Sequence, residues 1–224
     1  MDRPIIAQEP GRDCAFCPRL AAFRDANRAA FPDWFNAPVP SFGNDGARLL
    51  IVGLAPGLRG ANRTGRPFTG DHAGILLYAT LAKFGFATGD YAASPEDGLR
   101  LADCMITNAV RCVPPANKPE PAEITTCRQF LTQRIAVLPN LRAILVLGRI
   151  AHETALRALG LRIAAFPFAH GAVHALPGGS VALFDSYHCS RYNTNTGMLT
   201  TEMFEAVFKK ARTYLDQISS SNVD

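Results

Sequence analysis

The chain has 224 residues, of which 48% are hydrophobic and 19% charged, with a formal net charge of +4 and a pI of about 8.8. This length suits one domain with a sizeable core, and the composition is that of an ordinary globular protein. No apolar run reaches the roughly 18 residues of a membrane-spanning helix. The mild positive charge permits an anionic partner without requiring one.

The opening stretch, MDRPIIAQEPGRDC, carries acids and lacks the apolar centre of a signal peptide. We therefore expect no secretory signal and a cytoplasmic location. No internal repeat or low-complexity tract divides the chain. We interpret residues 1–224 as a single domain and expect a monomer, with residues 1–45 forming an N-terminal segment packed on the core.

The first predicted strand covers residues 47–54, whose sequence ARLLIVGL is continuously aliphatic and is followed by Pro-Gly. A glycine-rich loop comes next, and residues 71–86 then show the spacing of an amphipathic helix. We expect Asp71 to be the N-cap of this helix. This spacing places Ile75, Tyr78, Ala79 and Ala82 on one face of the helix.

The rest of the chain alternates in the same way between short aliphatic runs and segments with helical spacing. Pro121 suits the first turn of a helix. The further predicted strands cover residues 103–110, 142–148 and 180–188. The further predicted helices cover residues 121–138, 149–159 and 200–218.

This alternation predicts an α/β fold with a central, mostly parallel, four-stranded sheet flanked by helices. Ligands of open α/β sheets bind beyond the carboxyl ends of the strands. Polar clusters follow the predicted strands here: the glycine-rich loop, residues 108–111, Gly148-Arg149 and the stretch SYHCSRYN at 186–193. We expect three of them to line one crevice.

The glycine-rich loop lies within residues 50–74 and carries six glycines and three arginines. It lacks the Lys-Ser/Thr pair of a P-loop, so ATP is not its expected ligand. Its glycines allow backbone N–H groups to approach a base or a phosphate closely. We expect Arg59, Arg63 and Arg66 to meet phosphates; the alternative is a solvated loop with scattered charge.

Six cysteines in a chain expected in the cytoplasm indicate metal ligands or buried thiols rather than disulfides. Cys14 and Cys17 form a C-x-x-C pair, whereas Cys112 and Cys127 flank the proline-rich stretch VPPANKPEPAEITT. Four thiolates bind either zinc or an iron–sulfur cluster. Two C-x-x-C pairs would favour zinc, but the second pair here is widely spaced, so both remain open on spacing.

Three stretches, GLAPGLRGANRTGRPFTGD, TNAVRC and SYHCSRYNTNTGMLT, resemble the motifs of the type B, or family 5, uracil-DNA glycosylases. The resemblance extends from residue 14 to about residue 200 and includes four cysteines in the family's order. It implies the uracil-DNA glycosylase fold and removal of uracil from DNA, and in many members of other deaminated bases such as hypoxanthine and xanthine. It also implies a [4Fe-4S] cluster held by Cys14, Cys17, Cys112 and Cys127.

The chemistry of base removal agrees with this resemblance. An enzyme that flips a base out of DNA needs an aromatic face and an amide that reads the base edge, which Phe68 and Asn108 offer. His188 can donate to the departing uracil anion, and Asp71 can orient water or balance the positive sugar. Each residue also has a structural alternative. Phe68 could be a core aromatic and Asn108 could bond buried backbone groups. His188 could be a structural histidine, and Asp71 could be a helix cap alone.

Other residues are expected to contact DNA or the base. We expect Gly53, Leu54 and Ala55 to form the pocket wall, and Arg191 and Asn193 to contact DNA or fill the space that the base leaves. The cluster is expected to tie the N-terminal segment to the loop of residues 111–127 and to orient three basic side chains toward DNA phosphates: Arg111, Lys118 and Arg128. No role is expected for the remaining histidines: His72, His152, His170 and His174.

Two features of the motifs depart from related sequences. Leu54 and Ala55 stand where other branches of the superfamily carry an acid or an amide, which leaves Asp71 as the carboxylate of the first motif. Cys189 stands where the proline of an HPS sequence is expected. We expect Cys189 to be inert rather than a thiol activated by His188.

Two other functions compete with base removal. A nucleotide-processing α/β hydrolase would use the glycine-rich loop for a small phosphate and would act on free dUMP. A non-catalytic iron–sulfur protein would bind nucleic acid without releasing a base.

Overall fold

The computed structural model describes residues 9–220. The expectation about a signal peptide concerns mainly residues 1–8, which lie outside this range. Residues 221–224 of the expected domain lie outside it too. The strands are β1 (Phe42–Gly43), β2 (Leu49–Gly53), β3 (Ala87–Thr88), β4 (Arg100–Leu101), β5 (Cys104–Asn108), β6 (Ala143–Leu147), β7 (Val173–Ala175) and β8 (Ala182–Ser186). The α-helices are α1 (Pro18–Ala30), α2 (Ala61–Thr64), α3 (His72–Lys83), α4 (Pro121–Ala136), α5 (Arg149–Ala158), α6 (Arg191–Asn195) and α7 (Thr201–Ser220).

A six-stranded sheet forms the centre of the fold, in the order β1-β5-β2-β6-β8-β7. Its inner strands β5, β2, β6 and β8 run parallel to one another, and all their residues are buried. These are the strands that the aliphatic runs predict, because a strand covered on both faces needs no polar alternation. The expected α/β fold with a mainly parallel sheet is confirmed.

The predicted count of four strands is wrong, because short antiparallel strands extend both edges of the sheet. β1 pairs with β5, and β7 pairs with β8. A separate two-stranded ribbon joins β3 to β4. Strands of two or three residues are too short to show a period-2 hydrophobic pattern, so the sequence does not reveal them.

Helices cover both faces of the sheet. α3 and α7 pack on one face through residues such as Leu77 and Phe204, and α4 and α5 pack on the other through residues such as Leu131 and Leu156. Ile51 and Val52 of β2 belong to opposite clusters, as the alternation of side chains along a strand requires. Full burial of one such aliphatic side chain contributes roughly 1.5–3 kcal/mol.

The apolar face predicted for α3 is not the face that the fold buries. Of the residues predicted to lie on it, Tyr78 is buried, but Ile75 is 60% exposed and both alanines are exposed. The buried apolar side chains are instead Ala73, Leu77, Tyr78 and Leu81. Apolar residues surround this helix on every side, so their spacing does not select a face.

The ends of the helices agree with their sequence signals. Asp71 is the N-cap of α3, as expected, and its Oδ1 accepts the backbone N–H of Gly74 at 3.2 Å. Glu120 and Glu123 form a capping box around Pro121 at the start of α4. Among the helices that the structure describes, none is both long enough and apolar enough to span a membrane.

Candidate active site

The register of the sheet brings several loops to one edge. Gly53 at the end of β2 pairs with Asn108 at the end of β5, and Leu147 of β6 pairs with Ser186 of β8. The loops that follow surround a cavity of about 610 Å³. Three of the expected polar clusters line it: the glycine-rich loop, the segment after β5 and the segment after β8. The Gly148-Arg149 step is not part of its lining.

Phe68 forms part of the cavity wall in a left-handed backbone conformation, with φ of 54°. This conformation costs a residue other than glycine roughly 1–3 kcal/mol, so the surroundings must hold it. The Tyr91 hydroxyl donates to the carbonyl oxygen of Phe68 at 3.2 Å, and the Tyr78 hydroxyl donates to that of Pro67 at 2.6 Å. The Phe68 ring lies 5.9 Å from the His188 ring, centre to centre.

Arg66 is buried beneath this loop and does not meet phosphate, which corrects the expectation. Its guanidinium donates to both carboxylate oxygens of Asp97 at 2.7 Å and lies 5.4 Å from the centre of the Tyr78 ring. The hydrogen bonds from Arg66 hold the pKa of Asp97 well below its usual range. Arg59 and Arg63 are exposed, as a phosphate contact requires.

Asn108 presents an unpaired acceptor. The residue is 3% exposed, and its Oδ1 is buried with no hydrogen-bond partner among the described residues. Buried polar atoms are nearly always paired, so this orphan indicates a ligand position. A Cβ on Gly53 would lie 2.7 Å from Cζ of Phe68 and would overlap Asn108 Oδ1, so glycine leaves room for both side chains. Gly53 itself stands behind the cavity lining, whereas Leu54 and Ala55 belong to it.

Asp71 lies in the cavity wall, where the glycine-rich loop ends. Its Oδ2 lies 3.2 Å from the position that a Cβ on Gly57 would occupy, and Gly60 approaches it more closely still. Burial raises the pKa of Asp71 and outweighs the N–H bonds from Gly74 and Ala73. At this carboxylate the loss of water is therefore a larger effect on the pKa than the hydrogen bonds that the helix N-terminus supplies.

His188 follows β8 and lines the cavity. Burial lowers its pKa to about 4, so the ring is neutral at neutral pH. A neutral imidazole still offers one N–H donor. Cys189 beside it is fully buried, and burial together with the charge of Asp71 raises the pKa of its thiol. Cys189 therefore stays protonated, as an inert cysteine should.

The segment after His188 forms α6 at the cavity. Arg191 is exposed and lines the cavity. Asn193 does not line it, because its Nδ2 donates to the carbonyl oxygen of His188 at 2.8 Å. Tyr192 between them is 74% exposed, with its ring free of the core. The structure thus brings Arg191 to the site and gives Asn193 a different contact.

Residues to which the sequence assigned no role also come to the site, among them His72, which lines the cavity. Asn117 lines the cavity from the turn between Cys112 and Cys127, with a left-handed φ of 56°. Tyr192 is the exposed aromatic of α6. Tyr192 belongs to the third motif but had no role assigned, whereas Asn117 lies outside the three motifs, and its proline-rich surroundings were the one sign of an unusual turn.

The four expected cluster ligands come together beside α1. Cys14, Cys17, Cys112 and Cys127 line one small cavity, and all four are free thiols. Burial raises the pKa of Cys112 to about 12 and that of Cys127 to about 11. The backbone N–H of Arg111 donates to Cys127 Sγ at 3.3 Å.

Arg111 does not point toward DNA, contrary to expectation. Its side chain is 1% exposed and forms a 3.0 Å ion pair with Glu9 and a 3.2 Å hydrogen bond to the carbonyl oxygen of Val39. It therefore joins the N-terminal segment to the end of β5. Lys118 is exposed and Arg128 is half-buried.

Comparison with known proteins places this fold and site in a family. Residues 40–212 match the sequence profile of the Uracil DNA glycosylase superfamily. A protein named Type-5 uracil-DNA glycosylase from Thermus thermophilus is 48% identical over 218 residues, which cover 95% of this chain and 98% of the relative. The protein of that name from Mycobacterium bovis is 42% identical over 89% of this chain and 77% of its own length. A Type-4 uracil-DNA glycosylase from Archaeoglobus fulgidus is 32% identical over 77% of this chain and 79% of its own length.

The chain has a parallel sheet with a cavity at the carboxyl ends of its strands, and the superfamily profile matches most of the chain. It therefore belongs to the uracil-DNA glycosylase superfamily. Within that superfamily it belongs to the type-5 uracil-DNA glycosylases. The resemblance drawn from the three motifs is confirmed.

Proposed function

We propose that this chain removes uracil from DNA by hydrolysing the N-glycosidic bond, and that it leaves an abasic site. The observation that carries the proposal is the unpaired Oδ1 of Asn108 beside a cavity that also gathers Phe68, Asp71 and His188. The names of the relatives point to the same substrate. No feature of the cavity favours the two competing functions.

Phe68 and Asn108 are assigned to recognition of the flipped base. The Phe68 ring offers the stacking face that an extruded base needs. The free acceptor on Asn108 matches the N3–H of uracil, which is a donor on the base edge. A carbonyl oxygen of Asn108 buried without such a donor would carry an uncompensated desolvation cost.

His188 and Asp71 are assigned to bond cleavage. As the bond between the sugar and uracil N1 breaks, its electron pair stays on the base, and the N–H of neutral His188 stabilises that charge. Asp71 in its carboxylate form faces the positive sugar and accepts the proton of the attacking water. The raised pKa of Asp71 makes it a better base than an ordinary aspartate.

Contacts to DNA are assigned to exposed residues around the cavity. Arg59, Arg63 and Arg191 are exposed cations of the two loops that border it. Arginines of this kind neutralise phosphates and hold the strand in register. The exposed ring of Tyr192 is suited to fill the stack that the flipped base leaves.

The cysteines are assigned to a [4Fe-4S] cluster. The four thiols line one small cavity, and the second pair is widely spaced, whereas two C-x-x-C pairs would favour zinc. Arg24 and Arg111 are buried beside the thiols; Arg24 Nε lies 3.4 Å from Asp25 Oδ1, and Arg111 Nε has no hydrogen-bond partner among the described residues. Such cations suit an anionic cluster. Its contribution is structural: it joins the segment before α1 to the segment that bears Asn117.

The proposal is tested with purified protein and oligonucleotides that carry a single uracil, hypoxanthine or xanthine, in single and double strands. We expect alkali-labile abasic sites at uracil, because its edge pairs with Asn108. The same panel measures release of the other two bases. DNA binding without release of any base, or action confined to free dUMP, would contradict the proposal.

Asp71→Asn separates chemistry from helix capping, because asparagine caps about as well as aspartate but carries no charge. The raised pKa means that the carboxylate destabilises the folded state above its unfolded pKa, so the melting temperature should hold or rise. Single-turnover cleavage should be largely lost while binding of uracil-containing DNA remains. The wild-type rate should fall with decreasing pH through a pKa above 3.8. Near-wild-type cleavage by the variant would leave Asp71 as a cap alone.

His188→Ala removes the donor to the departing base. Loss of an oxyanion donor slows the chemical step by roughly 100-fold or more, so single-turnover base release should fall on this scale. DNA affinity should change little. Because the ring is already neutral well below pH 6, the wild-type rate should show no inflection from His188 near neutral pH. An unchanged rate in the variant would exclude His188 from the mechanism.

The cluster is tested by composition and colour. We expect a brown protein with broad absorbance near about 400 nm, which is typical of [4Fe-4S] proteins. Cys14→Ser should reduce iron content and the yield of soluble protein. One zinc per chain with no iron after anaerobic purification would disprove the assignment.

A further inference from the structure

Outside the active site, a buried polar cluster lies against the end of β8. Asp185 is fully buried; its Oδ1 lies 2.7 Å from Nδ1 of His152, and its Oδ2 lies 3.0 Å from Nε2 of His174. The His152 side chain is 0% exposed. No role was expected for these histidines, because one belongs to α5 and the other to β7, and only the fold brings them together.

The surroundings of His152 determine its protonation. Its Nε2 lies 2.8 Å from the carbonyl oxygen of Phe166, which can only accept, so Nε2 carries a proton. Asp185 Oδ2 also accepts the backbone N–H of Ala169 at 3.2 Å, which favours an ionised carboxylate. Nδ1 therefore donates to Asp185 as well. With a proton on each nitrogen, His152 is an imidazolium that forms a buried ion pair with Asp185.

This ion pair holds the segment of residues 166–174 against β8. Backbone bonds link Gly171 N to Asp185 O at 2.8 Å and Asp185 N to Ala172 O at 3.0 Å. The same segment carries His170, whose Nδ1 accepts the backbone N–H of Tyr187 at 3.1 Å and whose ring stacks on Tyr187 at 4.9 Å. Tyr187 directly precedes His188, so the position of the segment sets the point at which the His188 loop leaves the sheet.

We propose that the His152–Asp185 ion pair is a positioning element for His188, acting through residues 166–174 and Tyr187. The proposal rests on the role of His188 proposed above. Neither member of the pair lines the cavity, so neither touches the base. Their effect is on geometry, and a displacement of about 1 Å at a catalytic group can slow a reaction by about 100-fold.

A pH dependence follows from the charges around His152. Asp185 from β8 and His174 from β7 lie in the same cluster. The helix that carries His152 contributes Glu153 and Arg149, and the Arg149 guanidinium lies over the ring of Phe168. Burial lowers the pKa of His152, but the hydrogen bond and charge of Asp185 outweigh burial, so the net pKa is raised. The pair therefore stabilises the fold below the unfolded pKa of histidine, and this stabilisation is lost as pH rises through the folded pKa. Base release should decline over the same alkaline range.

The protonation state is read directly by nitrogen NMR of the histidine rings in the full chain labelled with 15N. We expect both nitrogens of His152 to be protonated at pH 7 and to lose one proton at a pH above that of free histidine. A neutral ring at pH 7 would overturn the proposal. The three ligand atoms lie within 4.8 Å of one another, so the spectrum is also recorded with equimolar zinc. Zinc bound at His152 would overturn it too.

The positioning role is read from single-turnover rates. In the wild type, the alkaline loss of rate should follow the His152 titration; a flat rate across that titration would overturn the role. His152→Gln and Asp185→Asn should lower the single-turnover rate by roughly 10-fold to 100-fold with little change in DNA affinity. In both variants the loss of rate at alkaline pH should disappear. Glu153→Gln is the matched control, since it alters charge beside His152 without touching Asp185, and its rate should equal that of the wild type.

These measurements separate the two proposals. If the wild type released no uracil, the proposed function would fail, whereas the NMR spectrum would still report the state of His152. If His152→Gln did not fold, the wild-type rate profile and the NMR titration would still decide the role.

Discussion

The buried ion pair between Arg66 and Asp97 is the constraint on which the geometry of the active site depends. Their side chains are 5% and 1% exposed, and Arg66 also donates to Thr69. Removing one partner of such a pair costs roughly 3–5 kcal/mol, because the other charge is left buried and unpaired. Arg66 immediately precedes the Pro67–Asp71 segment, so the pair fixes both the left-handed Phe68 and the start of α3 at Asp71. Burial then raises the pKa of Asp71 and lowers that of His188, because loss of solvent disfavours the charged form of an acid and of a base alike.

Much of this architecture could be predicted from the sequence, because its signals are local. The inner strands are unbroken aliphatic runs, and Asp71 and Pro121 are helix starts with specific chemistry. The polar clusters follow strand ends, and parallel strands deliver their ends to one edge. The short strands β1 and β7 could not be predicted, since they form only where a neighbouring strand offers unpaired N–H and C=O groups.

The roles of individual charges could not be predicted, because they depend on distant partners. Arg59 and Arg66 lie in the same loop, yet one is exposed and the other is buried by an aspartate 31 residues away in sequence. Arg111 likewise turns inward to meet Glu9. Asn117 and the cluster around His152 are products of tertiary packing alone, and no spacing in the chain reveals them.

The exposed arginines of the cavity rim and the buried groups inside it are separated in space, and this divides the enzyme's work into search and selection. Under the proposed function, scanning along DNA would use contacts between these arginines and phosphates, which dissolved salt weakens by competing for the same charges. Asp71 and His188 lie in the cavity wall, away from the exposed arginines of the rim. On this proposal, ionic strength would act mainly on how quickly a lesion is found and much less on a base that has already entered the cavity.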